Sequence, residues 1–143
     1  MIMGTISKNF SYSEFEQSEK AEELGIVNVI PTARVRDSID ALVFNVLQPL
    51  RTAWGAELVL NSGYRCPELN EAVDGELTSQ HLKGEAADVR CYNPLKLARL
   101  ALKMKLPFDQ MGLYPTFVHF SHKLGGPQRG EIFYSKNYKG ERL

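Results

Sequence analysis

The ten residues Ser79-Gln80-His81-Leu82-Lys83-Gly84-Glu85-Ala86-Ala87-Asp88 combine side chains that can bind a metal with residues that permit a tight turn. They place a histidine and an aspartate on either side of Gly84, and zinc accepts both imidazole nitrogen and carboxylate oxygen as ligands. Glycine and small alanines permit a tight turn, so the side chains of His81 and Asp88 can converge on one point. From composition alone, a surface histidine and a capping carboxylate are the commoner explanation of such a pair.

The sequence before this stretch predicts helices. A capping-box pattern starts a short helix at Ser11, and a second short helix follows Ser18 and ends at Gly25. Apolar residues at a spacing of three and four predict an amphipathic helix from Thr32 to Leu50. Pro49 lacks the backbone N–H, so we expect this helix to bend or end near Gln48.

The rest of the sequence predicts mainly short strands. They cover residues 57–61, 86–91, 108–114, 117–122 and 131–134, with helical turns at 67–73 and a helix from Asn93 to about Lys105. Helices that come mostly first and strands that come mostly later predict an α+β fold, with a small antiparallel sheet flanked by helices. A chain of 143 residues is the usual size of one domain, so we expect residues 1–143 to form a single domain.

The bulk properties exclude several classes of protein. Seventeen basic and seventeen acidic residues cancel without a basic cluster, which argues against a nucleic-acid or anionic-membrane partner. No apolar run is long enough to span a membrane, and Met1-Ile2-Met3-Gly4 lacks the basic flank and apolar core of a signal peptide. We therefore expect a protein made in the cytoplasm, which another factor must release or deliver if its substrate lies outside. We also expect a monomer.

Two further histidines, His119 and His122, lie in one predicted strand. In a strand over residues 117–122, alternation puts His119 on one face and His122 on the other, together with the apolar Val118 and Phe120. The apolar face packs into the core, and we expect His122 to fray into solvent at the strand end. Alternation therefore favours His119 over His122 as a candidate ligand.

A turn at Pro115-Thr116 sets the register of the last hairpin. It pairs Gly112 with His119 and Gln110 with Ser121. Gln110 then shares the face of His119, and Asp109 lies on the opposite face.

The pattern Ser-x-His-x-x-Gly-x-Ala-x-Asp of residues 79–88 resembles the signature of the zinc D-Ala-D-Ala carboxypeptidases and their relatives among bacteriophage endolysins. The similarity continues over most of the chain, in order. It includes Val46-Leu47-Gln48-Pro49-Leu50-Arg51, Asn61-Ser62-Gly63-Tyr64-Arg65-Cys66-Pro67, Phe108-Asp109-Gln110 and Phe117-Val118-His119-Phe120-Ser121.

This resemblance implies a hedgehog/DD-peptidase-like fold with Zn²⁺ in a surface cleft, bound by His81, Asp88 and His119. Three protein ligands leave a fourth position open, which is the arrangement of a catalytic zinc. Arg65 is implied to steady the substrate carbonyl, since a guanidinium stays charged and offers donors in a fixed fork. Ser79 and Gln110 are expected to bind substrate, although a plain loop role for Ser79 stays open.

The implied activity is a zinc metallopeptidase that hydrolyses an amide in the peptide stem of bacterial peptidoglycan. One position departs from the family pattern: Thr116 stands where relatives carry the acid that serves as general base, and threonine cannot take that role near neutral pH. Glu76 or Glu85 can replace it, and the sequence does not choose between them. The alternative function is a non-catalytic, zinc-containing module that binds cell wall or belongs to a virion.

Overall fold

The computed structural model of the protein describes residues 4–143. The expectation about the N-terminal leader concerns Met1-Ile2-Met3-Gly4, of which the first three residues lie outside the described part of the chain. The described chain opens with a hairpin that the sequence did not predict, formed by β1 (Thr5–Ser7) and β2 (Phe10–Ser11). Helices α1 (Tyr12–Glu16) and α2 (Glu19–Leu24) follow.

The caps of these two short helices are the predicted ones. Ser11 and Glu14 form the capping box of α1, and the Ser18 side chain accepts a hydrogen bond from the backbone of Ala21 at the start of α2. Gly25 ends α2 with φ of 67°, in the left-handed region.

The predicted long helix is present but changes its winding. It consists of α3 (Ala33–Leu42), a π-helical turn (Val43–Leu47) and α4 (Gln48–Trp54). The Gln48 N–H bonds to the Val43 carbonyl, five residues back. This π-helical hydrogen bond lies just before Pro49, where the helix changes its winding. The helix does not end at Pro49 because several aliphatic side chains around it are fully buried, each contributing roughly 1.5–3 kcal/mol against a proline cost of about 3 kcal/mol. These side chains are Ile39, Leu42, Val43, Val46, Leu47 and Leu50.

The second half of the chain forms a five-stranded sheet. Its strands are β3 (Val59–Ser62), β4 (Ala86–Arg90), β5 (Gln110–Leu113), β6 (Phe117–Ser121) and β7 (Glu131–Tyr134), in the order β3-β4-β6-β5-β7. Between them lie α5 (Pro67–Ala72), a 3₁₀ turn (Gln80–Lys83) and α6 (Pro94–Lys103). The fold is α+β as predicted, but β7 pairs in parallel with β5, so the larger sheet is mixed rather than purely antiparallel.

The two faces of this sheet have different surroundings. The buried face belongs to the main core with the long helix and α6, and it carries Ala87, Val89, Met111, Leu113, Val118 and Phe120. On the other face one row of residues crosses all five strands in register: Ser62, Asp88, His119, Gly112 and Phe133. Helices cover one face, and the row with Asp88 and His119 lies on the open one.

The register of the last hairpin is the predicted one, with Gly112 opposite His119 and the Tyr114 N–H bonded to the Phe117 carbonyl. The expectation for His122 was wrong. Its side chain is buried, because its backbone N–H bonds to the Glu85 carbonyl and so continues the pairing past the end of β6. Within residues 4–143, no helix combines the length and apolar character needed to cross a membrane.

Candidate metal centre

The side chains of His81, Asp88 and His119 converge at one point on the open face of the sheet. Their ligand atoms all lie within 4.8 Å of one another. Asp88 and His119 are directly paired on β4 and β6, and Oδ1 of Asp88 lies 2.9 Å from Nδ1 of His119. The same oxygen lies 3.4 Å from Nε2 of His81.

His81 reaches this point from the 3₁₀ turn that precedes β4. The Ser79 hydroxyl caps the turn by accepting a hydrogen bond from the His81 N–H at 3.2 Å. Gly84 ends the turn with φ of +73°, and a Cβ at this position would lie 2.8 Å from the carbonyl oxygen of Val35 on α3. Only glycine allows both this conformation and this approach, which explains its place between the two ligand candidates.

A backbone carbonyl fixes the tautomer of His81. Nδ1 of His81 lies 2.7 Å from the carbonyl oxygen of Gly63, and a carbonyl can only accept, so Nδ1 carries the proton. The lone pair of Nε2 therefore faces the site, as in histidines that bind metals. Burial lowers the pKa of His81, although Asp88 acts in the opposite direction, and the neutral imidazole is the form that coordinates.

Asp88 is a buried carboxylate that lies close to both histidines. Burial alone would raise its pKa, but the closeness of His81 and His119 outweighs burial and holds the pKa well below its usual range. Its second oxygen lies 3.6 Å from Nη2 of Arg65. The carboxylate is thus ionised and directed into the site.

The donor set fits a zinc ion. Two imidazole nitrogens and one carboxylate oxygen form a common catalytic set, and ligands about 2 Å from a tetrahedral centre lie about 3.4 Å apart. The observed separation of 3.4 Å between His81 and Asp88 agrees with that spacing. We therefore regard these three residues as able to hold the metal.

Arg65 lies beside the group and is fixed by several contacts. Its Nε donates to the Ser62 hydroxyl at 3.1 Å, and its Nη1 donates to Oδ1 of Asn70 at 3.2 Å. Its backbone N–H bonds to the His81 carbonyl at 3.0 Å. Burial lowers the pKa of Arg65, whereas Asp88 and Tyr114 raise it, and a guanidinium remains charged in such surroundings.

Asn70 organises this corner of the site, and the sequence did not single it out. It is buried on α5, and besides holding Arg65 it donates from Nδ2 to the Glu76 carbonyl at 2.9 Å. The backbone carbonyl of Asn70 accepts a hydrogen bond from the Gly75 N–H at 2.8 Å. The loop that carries Glu76 is therefore attached to the residue that positions Arg65.

The converging residues lie in an open cleft of about 790 Å³. It contains all six residues predicted from the sequence: Arg65, Ser79, His81, Asp88, Gln110 and His119. Gln110 also donates from its side chain to Glu131 at 2.9 Å. Thr116 is exposed in the turn after β5 and does not line the cleft.

Glu76 and Glu85 both line the cleft, but their surroundings differ. Glu85 is buried, and its carboxylate accepts from the Gln80 side chain at 3.2 Å and from the Leu124 N–H at 3.3 Å. Glu76 is exposed on the loop held by Asn70.

Tyr114 and Phe133 form an aromatic wall that the sequence did not predict as part of the site. The Phe133 ring centroid lies 5.8 Å from that of His119, and a Cβ on Gly112 would lie 2.2 Å from the Phe133 ring. Alternation along β5 places Tyr114 on the face of Gly112 and could have found it. The parallel pairing that brings in Phe133 leaves no local signal in the sequence.

A histidine–aspartate–histidine group in a cleft is a set of residues that could hold a metal ion. The family model described as Peptidase M15 matches residues 8–122, which is most of the chain. The protein therefore belongs to the Peptidase M15 family, and the resemblance to zinc D-Ala-D-Ala carboxypeptidases is confirmed at the level of the family. Among curated proteins, none matches this chain.

Proposed function

We propose that the protein is a zinc-dependent peptidase that hydrolyses an amide bond in the peptide stem of bacterial peptidoglycan. The observation that carries the proposal is the convergence of His81, Asp88 and His119 in a cleft of a Peptidase M15 chain. The terminal D-Ala-D-Ala bond is the default substrate, and other stem or cross-bridge bonds are alternatives. The acting form is a monomer.

The metal ligands in this proposal are Nε2 of His81, one carboxylate oxygen of Asp88 and Nδ1 of His119. Zinc bound there supplies a Lewis acid for the amide carbonyl and lowers the pKa of the attacking water. The protein holds the ligand atoms ready through the Gly63 carbonyl and the pairing of β4 with β6.

Arg65 is the catalytic residue that binds the carbonyl oxygen of the scissile amide. It stabilises the negative charge that develops there, because a preorganised donor needs no reorganisation during the reaction. The contacts with Ser62 and Asn70 support this assignment, since they hold the guanidinium before substrate arrives. Ser79 and Gln110, both in the cleft, bind the peptide.

We assign the general base to Glu76. The Glu85 carboxylate is engaged by Gln80 and Leu124, whereas Glu76 is exposed, lines the cleft and lies on the loop that Asn70 attaches beside Arg65. Glu76 takes a proton from the attacking water and passes it to the leaving amine, the task of the acid that relatives carry at the position of Thr116.

The second candidate is a non-catalytic, zinc-containing module that binds cell wall or forms part of a virion. The threonine at position 116 favours it, because the usual carboxylate is missing. Turnover by the natural protein separates the two candidates. Glu76→Gln tests the assignment of the base when it is compared with Glu57→Gln, a change at an exposed residue outside the main cleft.

The test is turnover of purified peptidoglycan and of soluble stem peptides, with products identified by mass spectrometry. We expect cleavage that a chelator abolishes and zinc restores, with a loss of roughly 10²–10⁴-fold in Glu76→Gln and none in Glu57→Gln. Binding to cell wall without any product would refute the peptidase and support the module. Full activity of Glu76→Gln would refute the assignment of the base alone.

A further inference from the structure

Tyr114 occupies a fixed position at the edge of the metal centre. It follows β5 directly, and its backbone N–H bonds to the Phe117 carbonyl at 3.1 Å. Its ring stacks on Phe117 with a centroid distance of 4.3 Å and an interplanar angle of 12°, and it meets Phe133 edge-on at 87°. Two aromatic neighbours thus set the direction of the phenol before any ligand binds.

Three other tyrosine hydroxyls of this chain take part in hydrogen bonds. The hydroxyl of Tyr12 donates to Asp40, that of Tyr138 donates to the Glu141 carbonyl, and that of Tyr134 accepts from the Leu143 N–H. Among the residues that the structure describes, Tyr114 has no such partner, although its side chain is partly buried and lines the cleft. Its donor is available to a molecule in the cleft.

The charges that act on Tyr114 are those of Asp88 and Arg65 at the candidate metal centre. Burial and then the negative charge of Asp88 raise the pKa of its phenol, and Arg65 acts in the opposite direction. The phenol therefore stays protonated at neutral pH and can donate a hydrogen bond but cannot serve as a base.

We propose that Tyr114 is a second catalytic residue, whose hydroxyl donates a hydrogen bond to the carbonyl oxygen of the scissile amide together with Arg65. The proposal rests on the peptidase function above. No proton is transferred, since the hydroxyl keeps its hydrogen throughout and only its hydrogen bond shortens as negative charge develops on the oxygen. Two donors from different elements, the loop after β3 and the end of β5, thus bind the same atom.

The hydroxyl and the ring of Tyr114 have separable roles, which makes the proposal testable. Tyr114→Phe removes only the donor and keeps the contacts with Phe117 and Phe133. Tyr92→Phe is the matched control, because Tyr92 is exposed and stacks on Trp54, outside the cleft.

The experiment uses the zinc-loaded protein and two probes, a stem peptide and a phosphinate peptide that mimics its tetrahedral state. We expect Tyr114→Phe to lower kcat by roughly 10²-fold, the usual effect of losing one such donor, with KM nearly unchanged. The affinity for the phosphinate peptide should fall by the same factor as kcat/KM, whereas zinc content and the affinity for the unreacted peptide stay the same. Tyr92→Phe should match the natural protein in every measurement.

Unchanged kcat and unchanged phosphinate affinity in Tyr114→Phe would overturn the proposal, and so would a rise in KM alone. A natural protein that binds the phosphinate without cutting peptide would refute the proposed peptidase. In that case a weaker phosphinate affinity of Tyr114→Phe still supports the donor role. A natural protein that neither binds nor cuts would overturn both.

Discussion

At the scale of single residues, the arrangement of the centre depends on small backbone contacts. Gly63 is not a ligand candidate, but its carbonyl decides which nitrogen of His81 faces Asp88. Asp88 and His119 lie side by side because the register of β4 and β6 pairs them directly. The sequence predicted these ligand candidates because their residue types and spacing match a known pattern.

Other residues of the site could not be found in this way. Asn70 has a side chain common in any protein, and its importance comes from its contacts with Arg65 and with the loop of Glu76. Phe133 reaches the site only through the parallel pairing of β7 with β5. The burial of His122 was also missed, because the chain continues its pairing to Glu85 beyond the strand.

Arg65→Lys tests the guanidinium. Lysine keeps the charge but loses the fork that binds Ser62 and Asn70, so we expect turnover to fall by roughly 10²-fold or more. Zinc content, measured by elemental analysis, should not change, and Arg99→Lys in an exposed pair with Glu141 is the control. An equal loss of zinc and activity would make Arg65 a structural residue.

Asn70→Ala tests the buried amide that joins Arg65 to the loop of Glu76. The substitution leaves the Glu76 carbonyl and an Arg65 donor without partners, so we expect the free energy of unfolding to fall by about 1–3 kcal/mol. Turnover should fall as well. Asn45→Ala, on an exposed helix position, is the control in urea unfolding. Full stability and turnover of Asn70→Ala would contradict this role.

At the scale of elements, local patterns predicted what local physics controls. Ser11, Ser18 and Gly25 cap the first helices where their side chains and conformations require it. The sequence predicted that residues 131–134 form a strand, but it did not predict the place of β7 in the sheet. The parallel pairing of β7 with β5 depends on the connection that precedes β7. No periodicity within four residues contains that information.

Gly84→Ala tests how the turn of His81 is held against α3. The alanine backbone would have to adopt the left-handed conformation that Gly84 has. Its methyl group would also lie 2.8 Å from the carbonyl oxygen of Val35 and 2.9 Å from Cγ1 of Val35. We expect a loss of about 1–3 kcal/mol in unfolding free energy, together with weaker zinc binding. Gly125→Ala has open space around its Cβ and should unfold like the natural protein. Equal stability of the two variants would refute the close approach.

At the scale of the whole molecule, an ion pair between the buried Asp109 and the partly exposed Arg129 attaches the segment before β7 to the sheet. Asp109 is fully buried, and its carboxylate accepts from Nη2 and Nε of Arg129 at 2.7 and 3.1 Å and from the Arg129 backbone at 2.8 Å. Burial alone would raise the pKa of Asp109, but Arg129 and Lys123 outweigh it and lower the pKa to about 2. The pair helps to bring Phe133 over Gly112.

This ion pair predicts a pH dependence. Because the pKa of Asp109 is lower in the folded than in the unfolded state, its contribution is complete above about pH 4 and is lost as the pH falls toward 2. We expect Asp109→Asn to lower the stability at neutral pH by on the order of 2 kcal/mol and to flatten the acid limb of the unfolding curve. Asp37→Asn, in an exposed pair with Arg36, should change neither. An unchanged acid limb in Asp109→Asn would contradict the prediction.

We propose that one zinc ion binds at His81, Asp88 and His119. The most direct measurement is the zinc content per chain of the natural protein, His119→Ala and His122→Ala, determined by elemental analysis after dialysis against trace zinc. We predict one zinc in the natural protein and in His122→Ala, and none in His119→Ala. A natural protein without zinc, or a His122→Ala variant that loses the metal while His119→Ala retains it, would contradict the claim.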